Sequence, residues 1–499
     1  MVRIERKNNF EYYFGHSDIK SLKAVASALT FKNPSGFAYT PDIIKYDKRN
    51  LTFRIGMLPT LLKSLNEEDV QYEVADYVYK LPENIEIDDR MTGNYIHQRK
   101  AVQAFYKRRF GIIVVPTRGG KTFIASEIAR IFLETDEGNL LFLTDNTTLH
   151  TQAVNDFKQF FERYGGIEVG EIKAGSVDLS KRVTVGMIQT IQSTLSKRCV
   201  DKKKKRELEK YLKELRFLCV DEIHDNCSDS KLRLYKRCRK LEYQLCLSAT
   251  PYRSGAFAQN LKLMAWSGDI IYEISEETLR DRHVLSDYKV IMPLVNHEEI
   301  DYGRVVQDYD NLKNAMIFDS QIRNDVLLRL IEMCRKRGLK TLVLFQSIKH
   351  GEQISKITGD TFISGTTRGK HRESIKDEFL DSKGGVLLAS NIFKKGVTLP
   401  QVQVLINADE GLEDANTIQK KGRVLGATAE KQRSLVIDFF DVYDLYFSEH
   451  SETRLNTYVN AIGEKNVSLF DVSVDDWYDS ICKIVDKWFK LNGRAEAIQ

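Results

Sequence analysis

The chain has 499 residues, which at about 150 per domain allows three domains with cores of their own. Hydrophobic residues are 42% and charged residues 29%, the balance of a folded globular protein and not of a disordered one. Lysine and arginine outnumber aspartate and glutamate by only 75 to 70, so affinity for a polyanion must come from local basic surface. No run approaches about 18 uncharged apolar residues, which excludes a membrane-spanning helix. Met1 to Phe10 is charged, and we expect no secretory signal and a cytoplasmic location. The seven cysteines (Cys199, Cys219, Cys227, Cys238, Cys246, Cys334, Cys482) are odd in number and form no C-x-x-C, so reduced thiols are expected and not a disulfide framework or zinc ribbon.

The first ninety residues alternate short apolar runs with turns. Strands are expected at Phe37–Tyr39 and Leu51–Ile55, and helical spacing covers Ile19–Leu29 and Leu58–Leu65. The acidic stretch between Pro82 and Gly93 reads as a domain junction. Beyond it come short, uninterrupted apolar runs separated by helical stretches: Gly111–Val115, Leu140–Leu143, Val183–Val185, Phe217–Val220 and Gln244–Leu247 in one series, then Thr341–Phe345, Gly385–Ala389, Val402–Ile406 and Leu435–Ile437 in a second. Such runs mark parallel strands buried on both faces. The expected fold is therefore α/β: two tandem parallel-sheet domains with a small N-terminal α+β domain and a short helical C-terminal tail. The boundaries expected are 1–88, 89–285, 286–445 and 446–499, with an irregular connection near Asp281–Tyr309.

The sharpest local signal is Pro116-Thr-Arg-Gly-Gly-Lys-Thr122, between the strand ending at Val115 and an apolar helix. A glycine-rich turn opening a helix aims backbone N–H groups and a positive dipole end at a phosphate. Lys121 has the reach of β- and γ-phosphates, and the Thr122 hydroxyl suits Mg²⁺. The strict phosphate-loop pattern fails only because Val115 stands where its first glycine belongs. A hundred residues on, Asp221-Glu-Ile-His224 closes the run Phe217–Val220. Carboxylates at the C-terminal end of a parallel strand sit where α/β sheets bind ligands. Asp221 suits Mg²⁺ coordination and Glu222 suits orienting or deprotonating an attacking water. Together they indicate hydrolysis of a Mg²⁺–nucleoside triphosphate.

These segments, with Ser248-Ala-Thr250, resemble motifs I, II and III of the superfamily 2 helicases, and the resemblance runs from about Arg90 to Phe440. It implies RecA-like domains, ATP and Mg²⁺, and a nucleic-acid substrate. Gln98 matches the adenine-reading glutamine, and Pro116, Thr117, Arg118, Gly119, Gly120, Lys121, Thr122 and Gly396 fall in ATP-contacting motifs. His224, Ser248 and Thr250 match residues coupling hydrolysis to motion. Thr144–Leu149 with Asn146, Gly186–Thr190 with Thr190, Phe345–Ser347 with Ser347 and His350, Gly365, Arg372 and Ser390 match nucleic-acid contacts. Gln419-Lys-Lys-Gly-Arg423 resembles motif VI, with Gln419 and Arg423 as catalytic residues. The N-terminal unit and Asp438-Phe-Phe-Asp441 resemble the UvsW-type branch-migration helicases of bacteriophages. That likeness implies a monomeric DNA helicase or translocase on branched or forked DNA. An RNA helicase and an ATP-gated junction clamp are the alternatives.

Four residues depart from the family pattern. Gly426 stands where motif VI has a second arginine, from which we expect slow hydrolysis. Thr398 replaces a motif V aspartate, Asp145 a motif Ia proline, and Arg118 a loop glycine and is expected to project into solvent. The basic runs Lys202–Arg206 and Arg233–Lys240 read by default as solvated helical faces, with phosphate contacts as the alternative.

Overall fold

The computed structural model describes residues 1–8, 11–32, 42–75, 86–196, 198–252, 256–297, 309–367, 369–390, 399, 401–409, 431 and 433–490. The expected strand at Phe37–Tyr39 and the positions of Gly396, Thr398, Gln419, Arg423 and Gly426 lie outside them. The chain divides into two compact units, Met1–Ser275 and Glu276–Gln499.

In the first unit the N-terminal residues build a five-stranded sheet. Val2–Asn8 lies between Glu11–His16 (antiparallel) and Tyr72–Ala75 (parallel), and Thr52–Arg54 and Tyr46–Asp47 continue it beyond Glu11–His16. Helices Ile19–Ala28 and Leu58–Glu67 turn Val25, Leu61 and Leu65 into a core shared with Ile4, Phe14 and Phe53. Asp18 caps the first of these helices, its Oδ1 accepting from Ser21 N at 2.7 Å.

The expected first α/β series forms an eight-stranded sheet. Its order is Ser176–Val177, Val169–Lys173, Val183–Met187, Leu140–Thr144, Phe217–Val220, Tyr243–Ser248, Phe110–Val114, Ile270–Glu273. All neighbours are parallel except the edge strand Ser176–Val177. Every residue of the five expected apolar strands within the sheet is buried, because helices cover both faces.

The N-terminal sheet is fixed to this domain by close backbone approach. A Cβ on Gly56 would stand 1.8 Å from the Met264 carbonyl oxygen, so only glycine fits. The Arg54 guanidinium lies 4.4 Å from the ring centroid of Trp266. Entry into the α/β domain is similarly fixed. Asp88, in the expected domain junction, is buried, and its backbone N donates to Glu127 Oε1 at 2.8 Å. Arg130 binds both Glu127 oxygens and the Glu86 carbonyl, and Tyr164 Oη donates to Asp88 at 2.7 Å. Of the junction's described acids, Asp88 belongs to an internal ion network, whereas Glu86 and Asp89 are exposed.

The second unit carries an all-parallel sheet in the order Phe362–Ile363, Gly385–Ser390, Lys340–Phe345, Val404–Asn407, Arg433–Asp438, Asp287–Asn296, with Phe440–Val442 and Val467–Asp471 also paired to the last. Asp287–Asn296 was expected to be irregular. It is a ten-residue strand; the charged Asp287 and Lys289 and the imino acid Pro293 hide its apolar run from a sequence pattern. The C-terminal stretch is helical over Asp444–Ile462 and Trp477–Phe489 and contributes the strand Val467–Asp471 between them. Trp477 is buried in the second core and Trp488 Nε1 donates to the Ser434 carbonyl at 2.8 Å.

Asp438 and Asp441 are both buried structural acids. Asp438 receives Asn407 Nδ2 and Tyr458 Oη, each at 2.9 Å. Asp441 Oδ1 accepts from Arg323 Nε at 2.9 Å and lies 3.1 Å from His297 Nε2. Burial would raise the Asp441 carboxyl, but Arg323 and His297 hold it at about 2. No described helix is long and apolar enough to cross a membrane.

Candidate functional site

Three adjacent parallel strands, Phe110–Val114, Tyr243–Ser248 and Phe217–Val220, carry the three strongest sequence signals at their C-terminal ends. After the first, the chain turns through Pro116–Gly120 into helix Lys121–Thr135. The turn is tight: Gly119 N donates to the Pro116 carbonyl at 3.0 Å. Gly120 precedes the helix at φ +92 with no side chain capping it, which leaves the first-turn N–H groups available to an anion. A Cβ on Gly120 would also meet Gln98 Nε2 at 2.2 Å. Gln98 is buried from helix Ile96–Arg108 and its amide donates to the Gly119 carbonyl at 3.4 Å.

Sequence reasoning passed over its neighbour His97. Fully buried, His97 places Nε2 2.8 Å from the same carbonyl and is the stronger tie to the turn. Its only sequence signal is adjacency to Gln98. Arg118 does not project into solvent as expected. It is half-buried at φ +73, a left-handed conformation, and desolvation lowers its guanidinium to about 10, so it stays charged at neutral pH.

Lys121 Nζ lies 3.4 Å from the Val115 carbonyl and 3.5 Å from Glu222 Oε1, both side chains being largely enclosed. Asp221 Oδ1 accepts from Glu222 N at 3.0 Å. Desolvation, and then the neighbouring Glu222 charge, push the Asp221 carboxyl up, against the pull of Lys121. Glu222 itself sits at φ +44, a strained backbone for a non-glycine residue. Its Oε2 is buried without a hydrogen-bond partner, 3.4 Å from His224 Nδ1. That orphaned oxygen and the uncapped helix end are what a bound triphosphate and its water would engage.

Among the described residues no group of three His, Cys, Asp or Glu side chains is arranged to hold a metal by itself. Thr122 and Asp221 alone fit Mg²⁺ only when phosphate oxygens complete the shell, the usual way this cation is held. The donor set therefore fits a Mg²⁺–nucleotide and not a free metal centre.

His224 Nδ1 shares a hydrogen bond with Ser248 Oγ at 2.9 Å, and Thr250 N donates to the same oxygen at 3.1 Å. The Asp221–His224 turn and the Ser248–Thr250 turn are thus joined directly.

The expected nucleic-acid contacts differ in their surroundings. Asn146 and Thr190 follow the neighbouring strands Leu140–Thr144 and Val183–Met187. Ser347, Ser390 and Gly365 end or follow three adjacent strands of the second unit, and Gly365 is exposed. Two of these side chains already have work as helix caps: Asn146 Oδ1 accepts from Leu149 N at 3.0 Å and Ser347 Oγ from His350 N at 3.3 Å. Arg372 is half-buried and donates to the Thr367 carbonyl at 2.9 Å. His350 is corrected by the structure. It is 1% exposed, bonded through Nε2 to Asn324 Oδ1 at 2.7 Å and packed edge-on to Phe345, so it supports its strand end from within.

Where the N-terminal sheet meets the first α/β domain lies an open groove of about 730 Å³, lined among others by Lys45, Arg54, Arg233, Lys236 and Lys262 with Trp266 at its side. Asp229 pairs with Lys262 and Glu11 with Arg54, leaving a surplus of positive charge along it. Helix Lys202–Glu214 buries Leu208, Tyr211 and Leu212 and exposes most of its lysines, the solvated face expected of it. Arg237 and Lys240 pair with its acids Glu209 and Glu214.

Two family models match: "Type III restriction enzyme, res subunit" over residues 87–253 and "Helicase conserved C-terminal domain" over 323–427. The chain is similar to the ATP-dependent DNA helicase uvsW of Enterobacteria phage T4, 19% identical across 78% of this chain and 77% of that one. It is also similar to the DNA 3'-5' translocase XPB2 of Sulfurisphaera tokodaii, 24% identical across 66% of this chain and 77% of that one. In fold it is similar to S. cerevisiae Dbp5 bound to RNA and ADP BeF3, with a TM-score of 0.54 and 17% identity over 78% of this chain and 92% of that one.

Proposed function

The chain belongs to the superfamily 2 helicases, enzymes that hydrolyse ATP in dependence on nucleic acid, and we propose that it is a DNA helicase or translocase acting on branched or forked DNA. The observation that carries the catalytic reading is the meeting of Lys121 and Glu222, 3.5 Å apart though a hundred residues separate them, beside an uncapped helix N-terminus.

In this reading the N–H groups at Gly120–Thr122 and the Lys121 ammonium hold the β- and γ-phosphates. Thr122 and Asp221 would hold Mg²⁺, which would neutralise charge on the phosphates. Glu222, its Oε2 without a hydrogen bond, orients water for in-line attack on the γ-phosphorus and takes the proton as the bond to the bridging oxygen breaks. Gln98 and His97 hold the turn through the Gly119 carbonyl. The His224–Ser248 bond passes a change at the Asp221 turn to the next strand end. The family resemblance would add Gly396 as an ATP contact, Gln419 and Arg423 as catalytic residues, and Asn146, Thr190, Ser347, Gly365, Arg372 and Ser390 as nucleic-acid contacts.

One observation supports DNA and another supports a branched substrate. The named DNA helicase and translocase among the relatives support a DNA substrate. The basic groove beside Trp266 suits the phosphate backbone of a second duplex arm. We propose further that the chain works as a monomer with domains at 1–88, 89–285, 286–445 and 446–499.

The test is Mg²⁺-dependent ATP hydrolysis with no nucleic acid, single-stranded DNA, forked DNA and structured RNA, each beside Lys121→Ala. Stimulation chiefly by forked DNA, abolished in the variant, is the expected result; stimulation chiefly by RNA overturns it. Tight fork binding with negligible turnover selects the clamp instead, the second reading that Gly426 favours, and Gly426→Arg then raises the single-turnover rate.

A further inference from the structure

The carboxylate Asp145 stands in the turn that opens helix Thr147–Glu162, where the family pattern has proline and a nucleic-acid phosphate is expected close by. Alone it would repel that phosphate. The structure gives it a partner from another element: Lys231 Nζ lies 3.0 Å from Asp145 Oδ1. The same ammonium donates to Asn226 Oδ1 at 2.7 Å and to the Asp225 carbonyl at 2.9 Å. All three of its donors are used, and the pair is largely shielded, with side-chain exposures of 15% and 23%.

Asn226 carries the link onward. It is fully buried, and its Nδ2 donates to the Asp221 carbonyl at 2.7 Å and the Glu222 carbonyl at 3.2 Å. Tyr235 Oη donates to the Asn226 carbonyl at 2.9 Å, which fixes its backbone too. A second thread runs alongside: Asp221 N donates to the Leu143 carbonyl at 3.1 Å, two residues before Asp145. Glu222 holds a left-handed backbone at φ +44, so the aim of its carboxylate depends on whatever restrains its carbonyl. An unbroken set of hydrogen bonds therefore joins the Asn146 turn to the Glu222 turn through Lys231.

We propose that Lys231 is a positioning residue that couples occupation of the Asn146 turn by nucleic acid to the seating of Glu222. This rests on the ATPase reading above. A phosphate arriving beside Asp145 draws on the same ammonium, and the shift in Lys231 is felt at Asn226, which clamps the carbonyls of both catalytic carboxylates. Asp145 is tolerated at this place because Lys231 neutralises it.

The experiment compares the unaltered chain with K231M, K231Q and K231R in ATP hydrolysis with and without saturating forked DNA, with melting temperature and DNA affinity measured on each. K231M keeps the aliphatic stem and removes the donors; K231Q offers two N–H donors on a shorter stem, enough for at most two of the three acceptors, and removes the charge; K231R keeps charge and donors. The expected result is a basal rate within about twofold of the unaltered chain in K231M and K231Q, a DNA-stimulated kcat lowered about tenfold, and stimulation retained in K231R. Stimulation within about twofold of the unaltered chain in K231Q overturns the coupling, as does an equal fall of basal and stimulated rates at unchanged melting temperature. If the unaltered chain is stimulated by no nucleic acid, the ATPase reading itself fails and the coupling falls with it.

Discussion

The Gln98 side chain occupies the space that a side chain on Gly120 would need: a Cβ there would stand 2.2 Å from Gln98 Nε2. The turn therefore depends on glycine twice over, once for that contact and once for φ +92. Gly120→Ala is expected to lower ATP hydrolysis more than about tenfold while costing about 1–3 kcal/mol of stability. The double variant Gln98→Ala/Gly120→Ala removes the clash but leaves the backbone strain, so its melting temperature, measured against that of Gln98→Ala, recovers only in part. Steady-state rates beside thermal melting check both. Full recovery in the double variant would remove the backbone half of the argument.

Glu222→Gln keeps the size of the side chain and removes the proton acceptor. Single-turnover hydrolysis is expected to fall about 10²- to 10⁴-fold, with nucleotide affinity retained because Lys121 and the helix N-terminus are intact. Lys121→Ala is expected to show the opposite emphasis, losing nucleotide affinity. Equal losses of affinity in both variants would show that Glu222 serves binding and not the chemical step.

Arg130 is buried between Glu127 and Glu134 and also holds the Glu86 carbonyl. Arg130→Met leaves Glu127 buried without its cation, a loss of about 3–5 kcal/mol. At about 2–4 °C per kcal/mol the first unit's melting should fall by about 10 °C. Glu127→Leu added to Arg130→Met removes the stranded charge and should recover part of the loss. Calorimetry resolves the outcome, and a melting temperature unchanged in Arg130→Met would mean that water reaches the network.

His350 supplies a pH dependence. Burial first, and then the nearby Arg323, lower its pKa from 6.5 to about 3, against the weaker pull of Asp409. The folded state thus binds fewer protons than the unfolded one between those values, so its contribution is complete above about 6.5 and is lost as pH falls towards 3. From pH 7 to pH 5 the loss from this group is about 2 kcal/mol. His350→Gln should flatten that part of the stability profile, measured by denaturant titration at each pH. A profile as steep in the variant as in the parent would assign the acid sensitivity to other groups.

Much of the fold was legible in the order of residues. The runs Gly111–Val115, Leu140–Leu143 and Phe217–Val220 are apolar without interruption because helices cover both faces of their sheet, and that requirement is written locally. Lys121 and Glu222 stood out in the sequence for a related reason, since a glycine turn and carboxylates at strand ends are each a short motif, and the fold brings their side chains to 3.5 Å. Asp287–Asn296 escaped because its burial comes from three partners far along the chain, Arg433–Asp438, Phe440–Val442 and Val467–Asp471, and its own charged ends and proline obscure the pattern.

What only the tertiary structure decided are the pairings. Asp88 reads as one acid of a domain junction until Arg90 and Tyr164 are brought to it. His350 reads as a strand contact until Asn324 and Phe345 enclose it. Asp145 reads as a misplaced charge until Lys231, 86 residues later, neutralises it. A sequence states which groups carry charge or a hydrogen-bonding atom. Whether such a group faces water, a ligand or a buried partner depends on distances of a few ångströms, and only the packed chain sets those.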